Sequence, residues 1–205
     1  MTNTAKTLTF VIPAYNMESY LDRCVNSLLS ASDTRDLEVL IVDDGSKDGT
    51  LEYARKLERT NPGVVRAIHQ ENKGHGGAVN TGIAAATGMY VKVVDADDWV
   101  DPQAIDTVLA TLRAQREASE PIDMLVTNYV YDKVTKRHKI VVNFRHVMET
   151  GRVLGWDDLA SSAWLSTSSC MCSLSARRWC AIPGCSCPST RSTSISITRT
   201  SRSRG

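Results

Sequence analysis

No aspartate or glutamate follows Asp158 in this chain of 205 residues. The last stretch therefore offers no carboxylate for a hard-metal site or for acid–base chemistry. An excess of one charge is also missing. The 24 Lys+Arg balance 23 Asp+Glu to a net of +1, which gives no electrostatic reason to expect nucleic acid or an anionic membrane as partner. No apolar run approaches the ~20 residues of a membrane span, and peripheral membrane association has no visible signature. The N-terminal MTNTAKTLTFVIP lacks a secretory h-region, because its apolar stretch is short and runs straight into strand-like sequence. A soluble cytoplasmic chain is the expectation. Cysteine is nearly absent before the tail, where only Cys24 stands. Cys170, Cys172, Cys180, Cys185 and Cys187 crowd together later. Their C-x-C pairs, without a following His or a C-x-x-C, match structural zinc spacing poorly.

What is present is a core and a rhythm. The chain is 42% hydrophobic, enough for one domain, or one domain and a fragment of another. Thr7–Ile12 is a β-branched and aromatic run ended by Pro13 and reads as a buried strand. Asn16–Ser30 carries Leu21, Cys24, Val25, Leu28 and Leu29 at helical spacing. Glu38–Val42 is a second strand, stopped by DDGSKDG. Asp48 or Ser46 can cap the next helix, which carries Leu51, Ala54 and Leu57. Val64–His69 is a weaker third strand. ENKGHGGAVNTG turns into a helix with Ala78, Val79, Ile83 and Ala86. Tyr90–Asp95 is a fourth strand. Pro102 opens a helix with Ile105, Val108, Leu109 and Leu112. Asp123–Asn128 is a fifth strand, and Lys139–Phe144 a sixth nearer an edge. Strands alternating with helices predict an α/β fold, a mostly parallel sheet flanked by helices.

Such sheets bind ligands at the carboxyl ends of their strands. The polar clusters PAYN, DDGS, NKGHGG and DADD all fall there, after strands one to four. Asp95 and Asp97 are two apart, and residues i and i+2 share a side while the chain is extended. Two like charges on one side repel unless a cation accompanies them. A hard dication that also binds a diphosphate would resolve the repulsion. An isolated D-x-D is more often a solvated loop with Asp98 or Asp101 capping a helix, but the companion loops reverse those odds. Asp43-Asp44-Gly45-Ser46 is in part a turn and cap. Its second acid remains as an acceptor for an N–H, such as the imide of uracil. Tyr15 is as well suited to stacking on a base as to half-burial. Gly74-His75-Gly76-Gly77 lets backbone approach a ligand, ahead of a helix N-terminus suited to phosphate. His75 is more ordinarily a surface residue. No G-K-[ST] follows, and no G-x-G-x-x-G follows the first strand, which argues against a dinucleotide fold.

Together, VIPAYNMESYLDRCVNSLL, VLIVDDGSKDGT and ENKGHGGAVNTGIAAATGMYVKVVDADDWVDP resemble the inverting family 2 glycosyltransferases of the GT-A fold, over about residues 7–115. The resemblance implies transfer of a hexose-type sugar from a nucleotide-sugar donor, a UDP-sugar by family weight, to an acceptor hydroxyl with inversion. The acceptor would be a glycan, a lipid-linked molecule or a protein. Carried over by motif, Pro13, Ala14, Tyr15 and Glu18 would border the nucleoside. Asp44 would hold the base, and Asn72, Gly74 and Asn80 would line the donor. Asp95 and Ala96 would face the ribose and diphosphate, and Asp97, with Asp95 beside it, would bind Mg²⁺ or Mn²⁺. Two rivals stand beside this reading: a nucleotide-sugar-binding remnant without turnover, and a nucleotidyltransferase. The second needs a basic Gly-rich loop after strand one, and PAYNMESY contains neither glycine nor lysine.

The resemblance also implies an Asp or Glu general base near 175–195, and none exists there. From about Ala160 the chain turns Ser/Thr/Arg/Cys-rich. The expected organisation is a GT-A nucleotide-sugar-binding domain over 1–158 and an aberrant tail over 159–205. A disordered basic tail is one account. The favoured account is a truncated product carrying translation in a shifted frame. Read from the third base of each codon, Cys170 to Ile195 can encode strand-like and turn-like segments ending in an aspartate, about where the base is due. Sequencing the coding DNA past codon 155 decides this, because early stops in the alternative phase would exclude it.

Overall fold

The structure, a computed structural model, describes residues 6–119, 121–132, 139–142, 153, 173–176 and 195–198. The first half alternates: β1 (Leu8–Ala14), α1 (Glu18–Leu29), β2 (Leu37–Asp44), α2 (Thr50–Thr60), β3 (Val65–Gln70), α3 (Gly74–Ala85), β4 (Tyr90–Val93) and α4 (Pro102–Glu117). Short strands follow: β5 (Met124–Thr127), β6 (Tyr129–Asp132), β7 (Lys139–Val142), β8 (Ser173–Ala176) and β9 (Ile195–Thr198). The main sheet has the order β3-β2-β1-β4-β8-β5-β9. Its first four strands are mutually parallel, whereas β8 runs against β4 and β5, and β9 runs against β5.

The strand order decides which face each helix covers. The chain steps from β1 to β2 to β3 in one direction, then returns past β1 to β4. Right-handed crossovers therefore put α1 and α2 on one face and α3 on the other. The core divides accordingly. Phe10, Ile12, Val39 and Ile41 pack with Leu21, Cys24, Val25 and Leu28 of α1, Ala54 and Leu57 of α2, and Leu109 and Leu112 of α4. Val11, Leu40, Val42 and Val91 pack with Ala78 of α3. Each fully buried side chain of this kind contributes ~1.5–3 kcal/mol. On the α3 face the fit is close: a Cβ at Gly82 would lie 2.2 Å from a Val11 methyl. A side chain there would push the helix off β1.

Three expectations shift. β1 does not stop before Pro13 but runs through it to Ala14. The β1–β4 register ends at Val11↔Val93, and Val94 N–H closes that edge on the Val11 carbonyl at 2.9 Å. Pro13, two residues on, faces the side β4 has already left, so its missing N–H costs no ladder bond. β4 itself ends at Val93, two residues before the expected Asp95. The strand expected over 139–144 is β7, which joins β6 in a separate antiparallel pair instead of the main sheet. Residues 143 and 144 lie outside the described residues. β6 was not anticipated, because only Asn128 separates it from β5 and the two read as one run. β8 and β9 fall within the expected tail.

Candidate active site

Because β1 pairs with β2 on one side and β4 on the other, the chain's direction of travel reverses between β1 and β4. At the carboxyl end such a reversal leaves a crevice, the usual ligand position in an open α/β sheet. The four loops expected to converge do so here.

The β1–α1 and β2–α2 turns are tied together. Asn16 has φ 53°, the left-handed region that asparagine tolerates better than most residues. Its N–H donates to Ser46 Oγ (3.0 Å), and its Oδ1 accepts from Lys47 N–H (2.9 Å). Met17 N–H donates to Thr50 Oγ1 (2.8 Å). Glu18 Oε2 accepts from Gly49 N–H (3.0 Å), so Glu18 satisfies a donor at the start of α2. Asp48 takes Thr50 N–H (3.0 Å) and Glu18 N–H (3.4 Å). The expected cap is corrected: the N-cap of α2 is Gly49, which makes no side-chain cap bond, while Asp48 takes the N–H of Thr50 and Ser46 serves Asn16 instead. Pro13 and Ala14 are buried. Tyr15 stands beyond them, 41% exposed, on a turn held by this lattice.

Alternation along β2 sends its two terminal acids to opposite faces. Asp43, fully buried, accepts from Ser46 N–H (3.3 Å) and lies 2.7 Å from His69 Nδ1. Asp44, only 2% exposed, turns to the α3 face. There Oδ1 accepts from Gln70 Nε2 (2.6 Å) and Lys73 N–H (2.8 Å). Gly45 has φ +72°, and a Cβ on it would come within 3.0 Å of Asn72 N. Only glycine lets the β3–α3 loop close down at this point. Asn72 is exposed, and its Oδ1 accepts from Gly74 N–H (3.2 Å). Gly74 begins α3 and Asn80 is exposed on it.

After β4 the chain does not stay extended. Asp98 N–H donates to the Asp95 carbonyl (2.9 Å), which closes a β-turn over Asp95-Ala96-Asp97-Asp98. The same-side geometry argued from an extended strand is therefore replaced by turn geometry. The outward alternation survives: Asp95 and Asp97 are partly exposed, whereas Ala96 and Asp98 are buried. His75 Nε2 lies 3.9 Å from Asp95 Oδ1, so the start of α3 adjoins this turn. Asp101 caps α4, accepting from Gln103 and Ala104 N–H ahead of Pro102.

Helix α1 grips the acidic turn and the two residues that follow it at three points that sequence reading missed. Cys24 Sγ donates to the Asp95 carbonyl (3.7 Å), Val100 N–H donates to Ser27 Oγ (3.0 Å), and the Arg23 guanidinium lies 3.3 Å from the Trp99 ring centroid. Burial, and after it the neighbouring Asp98, Asp97 and Asp95, push the Cys24 thiol far above its ordinary value. It is a packed thiol and a weak donor here, not a nucleophile. The one available signal for these contacts was helical phase, which puts Cys24 on the buried side of α1.

A dication would find hard oxygen donors in Asp95 and Asp97. Among the described residues, no group of three or more His, Cys, Asp or Glu is arranged to hold a metal ion. Mg²⁺ or Mn²⁺ takes one or two carboxylates and completes its shell with phosphate oxygens and water, so Asp95 and Asp97 are the residues that would hold it. No helix among the described residues is long and apolar enough to cross a membrane.

Comparison with known proteins follows the same lines. Over 102 residues the chain is 44% identical to the chondroitin synthase of Escherichia coli, covering 50% of this chain and 15% of that protein. It is 40% identical over 107 residues to the hyaluronan synthase of Pasteurella multocida, covering 52% and 11%. The chain thus spans only a small part of these relatives' lengths. The crystal structure of S. aureus TarS 1-349 superposes with TM-score 0.65 at 24% identity over 83% of this chain and 47% of that one, a likeness of fold, GT-A. TarS 1-349 in complex with UDP-GlcNAc superposes with TM-score 0.51 at 27% identity, covering 58% and 33%. Residues 9–155 match the description Glycosyl transferase family 2, and the chain belongs to that family of transferases.

Proposed function

We propose that this chain binds a nucleoside-diphosphate sugar, a UDP-sugar foremost, in the β1/β4 crevice for transfer of the sugar to an acceptor hydroxyl with inversion. The observation that carries the reading is the meeting, at one sheet edge, of a base-side acceptor (Asp44), a phosphate-side helix start (Gly74) and an outward acidic turn (Asp95, Asp97). The solved relative with UDP-GlcNAc supports the choice of nucleotide. Family membership leaves the nucleotidyltransferase reading without support.

In this proposal Tyr15 stacks on the base, and Pro13 and Ala14 floor the crevice beneath it. Asp44 accepts the base N–H. Asn72, Gly74 and Asn80 line the donor, with the N–H groups at the start of α3 directed at phosphate. Asp95 and Ala96 lie along the ribose and diphosphate. Asp97, assisted by Asp95, holds Mg²⁺ or Mn²⁺, which supplies positive charge against the developing negative charge on the leaving nucleoside diphosphate. Glu18 keeps the Tyr15 turn in place by holding Gly49.

The acceptor hydroxyl needs a base. No carboxylate follows Asp158, so the proposal assigns donor binding to residues 1–158 and no base to residues 159–205. The acceptor class, whether glycan, lipid-linked or protein, belongs to the half not assigned. Two measurements separate the halves. Isothermal titration with UDP and Mn²⁺ should show binding, whereas a UDP-sugar transfer assay on the same 205-residue chain should show very low turnover. No binding overturns the donor reading, and robust turnover overturns the missing base.

A further inference from the structure

Asp44 is held by a directional chain of hydrogen bonds. Its Oδ1 lies 2.6 Å from Gln70 Nε2 and 2.8 Å from Lys73 N. A carboxylate only accepts, so the nitrogen end of the Gln70 amide must face it. The amide oxygen then points away and needs a donor. Thr81 supplies one, its Oγ1 lying 2.5 Å from Gln70 Oε1. Thr81 on α3 thus fixes the sense of the Gln70 amide, and Gln70 fixes Asp44. Both N–H donors fall on Oδ1, and Oδ2 takes none from the described residues. The carboxylate also sits where strand register places it, since Asp44 pairs with Gln70 across β2 and β3.

We propose that Gln70 and Thr81 are positioning residues that make Asp44 a one-oxygen acceptor, and so select a pyrimidine with an N–H at the recognised edge over one with a bare ring nitrogen there. The inference rests on the donor reading above and deepens it. A uracil ring offers an imide N–H to Oδ2. A cytosine ring presents a lone pair at that atom, which an acceptor oxygen repels. Selectivity of this kind is strong when the site's own polar groups cannot reorient, because the wrong base leaves them unpaired. Gln70 and Thr81 act through Asp44 and touch no reacting atom.

The test is titration of UDP and CDP, each with Mn²⁺, into the wild-type chain and into Gln70→Leu and Thr81→Val. Wild type should prefer UDP by about tenfold or more. Gln70→Leu should lower that ratio about fivefold to tenfold by freeing the carboxylate. Thr81→Val should lower it about twofold to threefold, because only the amide's orientation is released. A substitution that merely loosened the fold would weaken both nucleotides together and leave the ratio unmoved. If Gln70→Leu does not fold, Thr81→Val carries the same ratio test with Gln70 itself still present. A chain that binds UDP with an unchanged UDP:CDP ratio in the folded variants overturns this inference alone. A wild-type chain that binds neither nucleotide overturns the donor reading as well.

Discussion

The two ends of the β1–β2 ladder use the same acidic side chains in opposite ways. At the amino end, acids meet arginine. Arg113 reaches Asp36 through Nε (3.2 and 3.1 Å) and a guanidinium nitrogen (2.5 Å), and that nitrogen also donates to the Asp33 carbonyl at 2.9 Å. Arg35 pairs with Asp33 and Arg66 with Glu38. Lys6 Nζ donates to the carbonyls of Arg35, Leu37 and Gly63. At the carboxyl end, Asp43 and Asp44 meet histidine, an amide and backbone N–H groups, and the Asp95–Asp98 turn holds two acids outward. Negative charge is matched inside the protein at one end. At the other, the partners of Asp43 and Asp44 are a histidine, an amide and backbone N–H groups instead of guanidinium groups, an edge suited to a cationic or N–H-bearing ligand. An acid's role here follows from the partner its neighbours provide.

Substitutions at the two ends should therefore separate stability from binding. Asp97→Asn, at the carboxyl end, should weaken Mn²⁺-dependent UDP binding about 10- to 100-fold, the worth of a charge-assisted contact of ~1.5–3 kcal/mol. Its melting temperature should stay within about 2 °C of wild type. Equal UDP titrations for the two proteins would sink the assignment of that turn.

Arg113→Ala, at the amino end, should do the reverse. It takes the main partner from the Asp36 carboxylate, whose side chain is 7% exposed, and leaves it Arg116 at 3.9 Å, while the arginine it loses is 31% exposed. The expected loss is about 2–3 kcal/mol, below the 3–5 for a fully buried pair because solvent screens the arginine. Urea unfolding measures it, and UDP affinity should not change.

Asn16 sits between these cases and sharpens the contrast. Asn16→Ala removes the acceptor for Lys47 N–H and keeps a side chain at φ 53°, which should cost about 1–2 kcal/mol. Asn16→Gly relieves the backbone and should recover about half of that. Both should weaken UDP binding if the lattice positions Tyr15; unaltered binding would make the lattice purely structural.

The smallest effect is on pH dependence. Burial alone would raise the Asp36 and Asp48 carboxyls, but Arg113 and Thr7 hydrogen bonds at Asp36 and Thr50 and Glu18 hydrogen bonds at Asp48 outweigh it, so both stand below the ordinary 3.8. A depressed folded value means that each contribution to stability is complete above 3.8 and is lost as pH falls through the folded value. The melting temperature should be flat from about pH 7 to about pH 5 and fall below about pH 4. Arg113→Ala should flatten that fall, whereas Asp97→Asn should not.

Much of this architecture was legible in the residues. The alternation of Val, Leu and Ile runs with helical spacing placed β1 to β5 and α1 to α4. The turn-formers after each strand marked the carboxyl edge as the site. Pro102 announced the start of α4, and of the two candidate caps, Asp98 and Asp101, it is Asp101 that accepts from the first turn. The misses have local causes. The apolar run before Asp95 carries the expected strand to that residue and puts Asp95 and Asp97 on one side, yet the chain turns as soon as β1 no longer pairs with it. The Gln70–Thr81 link was invisible, because an amide at a strand end and a hydroxyl on a helix are individually unremarkable.

Sequence alone determined element type and the edge at which polar loops gather, since periodicity and turn chemistry act over a few neighbouring residues. It could not determine partners. Asp36 and Arg113 are 77 residues apart, Asp44 and Gln70 26, and Cys24 and Asp95 71. Such groups meet only once strand order and crossover handedness have set which strands adjoin and which face each helix covers. Strand alternation alone sends Asp43 and Asp44, adjacent in the chain, to opposite sides of the sheet; the tertiary structure decided which side α3 covers, and therefore that only Asp44 turns toward the start of α3.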